Sequence, residues 1–299
     1  MAVFKFRKAI GALSISTLTL TAWSAGDLPT KFSNFGSISN TRHNLSQSTI
    51  GGGSVVMDPY RNDYGAVCVY CHTPHGGNTQ IEAPLWNRTF NDNTYVTYDT
   101  LRTSSITSPI TQPGVNSLTC LSCHDGTLAV DSILNMPGSG RYSPSETSQN
   151  NDFLNGWSNP SGADVGVHMG LNKTECLTCH APGTEAGATA TDFTAFALGT
   201  DLTNDHPIGI LLPVNRVGDD FNDPAASSPG LRYYDNDGDE RADKDEIRFY
   251  DTGEGPEVEC ASCHDPHGVE SLGSGSQFNP TFLRVSNNAS AVCQTCHNK

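Results

Sequence analysis

The chemistry-bearing residues of this chain are its ten cysteines and ten histidines. The cysteines fall into five C-x-x-C-H strings with none left over. Cys68 and Cys71 precede His72, Cys120 and Cys123 precede His124, and Cys176 and Cys179 precede His180. Cys260 and Cys263 precede His264, and Cys293 and Cys296 precede His297. A thiol pair two residues apart with a histidine next to the second thiol reads as a c-type haem attachment site. Each thiol can add to one vinyl group, and the adjacent histidine then lies under the ring as proximal iron ligand. C-x-x-C also serves zinc knuckles and thiol redox centres. A zinc protein uses cysteine pairs two at a time, and five pairs leave one unmatched. A disulfide framework needs no histidine after every second cysteine.

The remaining histidines are His43, His75, His168, His206 and His267. Five six-coordinate irons require five further ligands, so the count matches bis-histidine ligation of all five. The plain alternative for any one of them is a surface or core histidine. His75 and His267 stand three residues after a proximal histidine, and Pro74 and Pro266 set a turn between each pair. That turn can aim the second imidazole away from its own haem and towards a neighbouring one. Met169 beside His168 leaves open a methionine ligand there.

These side chains need elements to hold them, and the rest of the sequence offers few. Gly contributes 29 residues and Pro 17 of 299, while charged residues are only 16%, below the usual quarter. Residues 33–53 and 138–162 are rich in Gly, Ser, Asn and Thr and read as loops. The expected fold is therefore mostly irregular coil with short helices and a few short strands, cored by haem rather than by a large apolar interior. One helical turn is expected at each C-x-x-C-H, because both thiols and the histidine must face one ring. Thr94 to Tyr98 alternates and suggests a short strand, and Ile208 to Val214 is an apolar run broken by Pro213. Tyr70, Trp86, Tyr95 and Trp157 are candidates for packing on rings, with ordinary core packing as the alternative.

Residues 1–24 read as a signal peptide: Lys5, Arg7 and Lys8 precede a mostly apolar run, and Ala22-Trp23-Ser24 offers small residues for cleavage. That leaves residues 25–299 as a single pentahaem domain outside the cytoplasm. The run is short for a membrane span, so the mature chain is not expected to be membrane-embedded. The formal charge of −15 becomes −18 without the leader, which carries three basic residues and no acid. A body this acidic is a poor partner for nucleic acid.

Motif starts lie 52, 56, 84 and 33 residues apart, so an insertion is expected in the 84-residue gap. Within it, residues 231–250 read as an acidic hairpin. Asp235, Asp237, Asp239, Asp243 and Glu246 occupy positions one, three, five, nine and twelve of a twelve-residue loop, those of an EF-hand-type calcium loop. Glu240 stands where glycine is expected, and the flanks look like strands rather than helices. Calcium binding and a solvated acidic turn are both open readings.

The chain resembles multihaem c-type cytochromes, and among them the filament-forming extracellular "nanowire" cytochromes of the outer cell surface. The resemblance is carried by Cys68–His75, Cys260–His267, Arg42-His43-Asn44-Leu45-Ser46, Cys120–Gly126 and Asp205-His206-Pro207. It implies haems arranged in one continuous line and a histidine near the mature N-terminus that ligates a haem of the next subunit. His43 holds a comparable place. The implied function is electron transfer, not catalysis, in a secreted or cell-surface filament whose partners are copies of itself, redox proteins or extracellular acceptors. A soluble periplasmic shuttle is the alternative. A multihaem reductase is the third reading, and the C-x-x-C-K string of pentahaem nitrite reductases is absent.

Overall fold

A computed structural model describes residues 33–45, 49–50, 54–55, 64, 66–81, 83–90, 92–101, 108–135, 169–184, 192–213 and 220–298. The leader, His168 and Trp157 lie outside these residues. Regular structure is sparse, as the composition implies. The described strands are β1 (Thr49–Ile50), β2 (Ser54–Val55), β3 (Ile210–Leu211), β4 (Ala226–Ser228), β5 (Leu231–Tyr233), β6 (Arg248–Asp251) and β7 (Pro256–Val258). The α-helices are α1 (Val115–His124), α2 (Cys260–Cys263) and α3 (Ala291–Cys296).

Every C-x-x-C-H string coils, as expected from its sequence. The first and third form single 3-10 turns over Cys68–Tyr70 and Cys176–Thr178. Cys179 closes the third turn, its amide donating to the Cys176 carbonyl at 3.3 Å. The second string closes the ten-residue α1, the fourth is the one-turn α2, and the fifth completes α3. The proposed strand at Thr94–Tyr98 is not formed. Val96 makes one bridge to Asp201, and the chain then turns through Tyr98–Thr100. Gln112 takes both backbone groups of Tyr95, its Oε1 accepting the amide and its Nε2 donating to the carbonyl, so no neighbouring strand pairs there.

The long gap between the third and fourth motifs holds a whole five-stranded antiparallel sheet, in the order β3-β7-β6-β5-β4. Leu231 pairs with Tyr250 and Tyr233 with Arg248, so the acidic loop is the tip of the β5–β6 hairpin. The sheet delivers the chain from β7 directly into α2, and α2 packs on α1. A sheet between motifs thereby sets the distance between two attachment helices.

Apolar packing is divided into three small clusters, each against an attachment string. Tyr64, Val69, Tyr70 and Ile133 hold the first motif, with Cys71 at the edge. Tyr95, Leu121 and Leu202 hold α1. Leu212, Tyr234, Ile247 and Phe249 pack under Cys263 and Cys296. Clusters of this size bury a few side chains at about 2 kcal/mol each. Polar staples supply the remaining cohesion. Asn87, fully buried, donates to the carbonyls of Val69 and Asn135 at 2.7 and 3.0 Å, and its amide donates to Cys71. Gly126 follows α1 with φ +70°, and a Cβ there would collide with the Leu171 carbonyl, so only glycine lets the second motif approach the segment before the third.

Candidate functional site

The ten cysteines form no disulfide. Burial pushes the Cys71 and Cys263 thiols up to about 12 and those of Cys176 and Cys296 up to about 11. These are neutral thiols in apolar surroundings, unlike the depressed thiolates of redox or zinc sites. Their neighbours trace a row. Cys71 lies within electrostatic reach of Cys123, the Cys120 thiol hydrogen-bonds Cys260, and Cys263 is within reach of Cys296. Spatial order is therefore first, second, fourth and fifth motif. The third joins at the other side, where Val130 bonds the Met169 carbonyl and Ala129 bridges Gly170.

Cys68, Cys179 and Cys293 are the exposed members of the set. Each is one thiol of a motif whose other thiol is partly covered, so every pair keeps one sulfur against the protein. At the third motif this divides Cys176 from Cys179. The Cys179 thiol faces solvent beside the Thr178 hydroxyl, 3.9 Å away, and its carbonyl accepts from Thr184 Oγ1 at 3.1 Å. Cys179 thus has local partners from its own turn and the loop after it, where the row of motifs brings thiols of different strings together.

Six of the described histidines lie in pairs. The rings of His43 and His124 lie 6.3 Å apart between centroids, those of His72 and His267 6.3 Å, and those of His206 and His297 6.4 Å. Each pair joins one motif histidine to one histidine from outside the motifs. Two imidazoles bonded to one central metal at about 2.0 Å, with about 1.1 Å from ring nitrogen to ring centre, place their centroids about 6.2 Å apart. The spacing fits an iron held between each pair.

Tautomers agree with that fit. Nδ1 faces the carbonyl of Pro266 in His43, Pro84 in His72, Phe196 in His124, Pro207 in His206 and Thr281 in His264, at 2.7 to 3.3 Å. A ring that donates its Nδ1 proton to a carbonyl leaves the Nε2 lone pair free for a metal. Burial pushes His43 down to about 4, with the nearby His124 adding to the effect, and also lowers His72, His124, His206 and His264. All five are thus neutral at pH 7, the ligating form. His267 differs: its Nδ1 lies 3.1 Å from the Asp265 carboxylate, which raises its proton affinity.

His43 faces His124 of its own chain and stacks on Phe282 at 4.4 Å. The turn after Pro266 does send His267 away from its own motif, to His72 of the first. Gly268 completes that turn at φ +89°, tight against Phe278. Among the described residues His75 is exposed and is not brought opposite a motif histidine at this spacing. His180 stacks on Phe193 at 3.9 Å with planes 1° apart. Tyr70, Trp86 and Tyr95 are buried, and Trp86 packs edge-on to His72. Among the described residues the Trp86 indole N–H has no acceptor, a buried donor beside the first motif.

In the acidic hairpin the structure brings together Asp235, Asp237 and Asp239, whose carboxylate oxygens lie within 4.8 Å of one another. Asp243 and Glu246 do not join them. Glu246 is buried and spends its carboxylate on the amides of Asn236 and Asp243, at 2.6 and 3.0 Å. Glu240 adopts φ +63°, the left-handed conformation the loop requires, despite not being glycine. Its amide donates to Asp235 at 3.0 Å. The loop is closed by its own side chains.

Two arginines escaped sequence reasoning. Arg88 and Arg284 are buried and donate to backbone carbonyls inside the second and fourth motifs, at Ser122 and Ala261. Each is an isolated arginine in a loop, without a spacing pattern to mark it. No family model and no curated protein matches the chain.

Proposed function

We propose that this chain is an electron conduit of five covalently attached, bis-histidine c-type haems. When bound, such iron supplies one-electron chemistry at a potential set by its axial ligands and surroundings. The observation that carries the reading is the set of three imidazole pairs at 6.3 to 6.4 Å, each made of one motif and one non-motif histidine. The residues that hold the rings are the ten cysteines, with His72, His124, His180, His264 and His297 on one face. The exposed Cys179 and the half-buried Cys176 hold the third ring, at the side of the row. His43, His206 and His267 close three opposite faces, and His75 and His168 are assigned to the remaining two. Close thiols along the row of motifs keep neighbouring sites within short reach of one another. Filled axial positions leave no open iron for a substrate, which favours transfer over catalysis.

In this reading the chain works outside the cytoplasm as a filament subunit. His75, exposed in this chain, is then the histidine available for a bond to the next subunit, since His43 is engaged internally. A discrete periplasmic shuttle is the second reading, and the His43–His124 pair favours it, because that site needs no partner. Among the described residues no helix is long and apolar enough to cross a membrane. The test is purification of the exported protein. A mass gain of five haems, a low-spin Soret spectrum and filaments by negative stain support the full proposal. Discrete particles with the same spectrum leave the shuttle. A colourless protein, or a high-spin resting iron, overturns both.

A further inference from the structure

Arg88 has no exposed surface at all. Its Nε donates to Ser122 Oγ at 3.2 Å, Nη1 to the Val130 carbonyl at 2.8 Å, and Nη2 to the carbonyls of Ser122 and Ala129 at 2.7 and 2.9 Å. All four acceptors are neutral, and among the described residues no carboxylate pairs with it. The nearby Asp125 carboxylate accepts from the neutral donors of Tyr95, Asn93 and Thr127 and lies within electrostatic reach of His124. A guanidinium cannot shed its proton in a protein. A full positive charge is therefore fixed against Ser122, between Cys120 and Cys123.

Arg284 is the internal comparison. It is also buried and also donates into a motif, to the Ala261 carbonyl at 2.9 Å, but Asp265 neutralises it at 3.3 Å. The same Asp265 carboxylate supports His267, which faces His72, and a carboxylate on a ligating imidazole favours the oxidised metal. The second motif thus has a cation against it with no carboxylate partner among the described residues, whereas the Asp265 carboxylate behind the first is already paired with Arg284.

We infer that Arg88 raises the reduction potential of the haem that Cys120 and Cys123 would hold. Reduction adds one negative charge to that site, and a nearby fixed cation stabilises the added electron. Solvent cannot screen a guanidinium buried on all sides as it would a surface one. The inference rests on the conduit reading, and its test separates the two.

The experiment is EPR-monitored potentiometry of the intact holoprotein. The imidazole planes of His43 and His124 cross at 75°, whereas those of His72 and His267 lie within 14°. The planes of His206 and His297 also cross, at 60°, so a Cys120→Ala/Cys123→Ala variant, which would lack the second haem, identifies the crossed-plane component of the second-motif iron. Arg88→Met removes the charge. Ser122→Asp instead places a carboxylate where Arg88 already donates, leaving its carbonyl bonds in place. Both should lower the reduced-to-oxidised ratio of the crossed-plane signal at fixed potential by about tenfold, equivalent to ~59 mV. Arg88→Lys and Ser122→Asn keep the charge balance and should stay within about threefold of wild type on the same scale. If Arg88→Met does not fold, the Ser122 pair decides. Coloured variants whose crossed-plane signal titrates like wild type overturn the inference, as do Lys and Asn variants that shift equally. A wild-type protein without haem would refute the conduit reading instead.

Discussion

His267→Ala separates attachment from ligation. His267 belongs by sequence to the fourth motif, three residues after His264, yet its ring faces His72 of the first at 6.3 Å. Its side chain is 65% exposed, so truncation removes little packing, and a surface change of this kind costs within about 0.5 kcal/mol. What it does remove is the second axial bond of one iron in five. The reduced variant should bind one equivalent of carbon monoxide per chain, a fifth of the haem, where wild type binds none. Location follows from a double-mutant comparison. In a Cys68→Ala/Cys71→Ala background, which lacks the first haem, His267→Ala should create no new site. In a Cys260→Ala/Cys263→Ala background it should still create one. The opposite pattern would show that His267 serves its own motif and would refute the pairing by ring geometry.

The His43 pairing makes a second test: His43→Ala should open one carbon monoxide site per chain at every protein concentration, whereas an intersubunit ligand would open a wild-type site on dilution. Glu259 is 1% exposed, and burial holds its carboxyl up at about 7 against an ordinary 4.5. The native state then binds more protons than the unfolded chain between those values, so stability falls by about 3 kcal/mol as pH rises from 4.5 to 7 and is flat above. Glu259→Gln should flatten that slope in thermal melts run across the window; an unchanged slope would place the titration elsewhere. Glu246→Ala leaves the amides of Asn236 and Asp243 without acceptors, a loss of about 1–3 kcal/mol, so both should exchange roughly 10- to 100-fold faster with deuterium while motif amides are unaffected.

The five attachment strings, the tally of spare histidines, the coil-rich fold and the β5–β6 hairpin were all legible in the sequence. Each rests on a local rule: thiol spacing, a turn set by proline, a composition too poor in periodic apolar residues to build layers. The strand proposed at Thr94–Tyr98 failed because alternation alone cannot supply a partner, and Gln112 had already claimed the Tyr95 backbone. The calcium reading weakened because a carboxylate at the right loop position says nothing about which way it points, and Glu246 turns to the loop's own amides.

Which histidine meets which was decided only by the tertiary structure. His267 and His72 are 195 positions apart in the chain, and His43 and His124 are separated by a whole motif. Neither contact leaves a local trace, because ligation depends on where the sheet and the polar staples carry each turn. The same holds for Arg88. A single arginine between an asparagine and a threonine looks like any surface residue, and only the folded chain wraps it in neutral carbonyls and leaves its charge uncancelled. Residue types and short spacings thus determined the chemistry available, while long-range packing determined the pairings and the fields through which that chemistry would act.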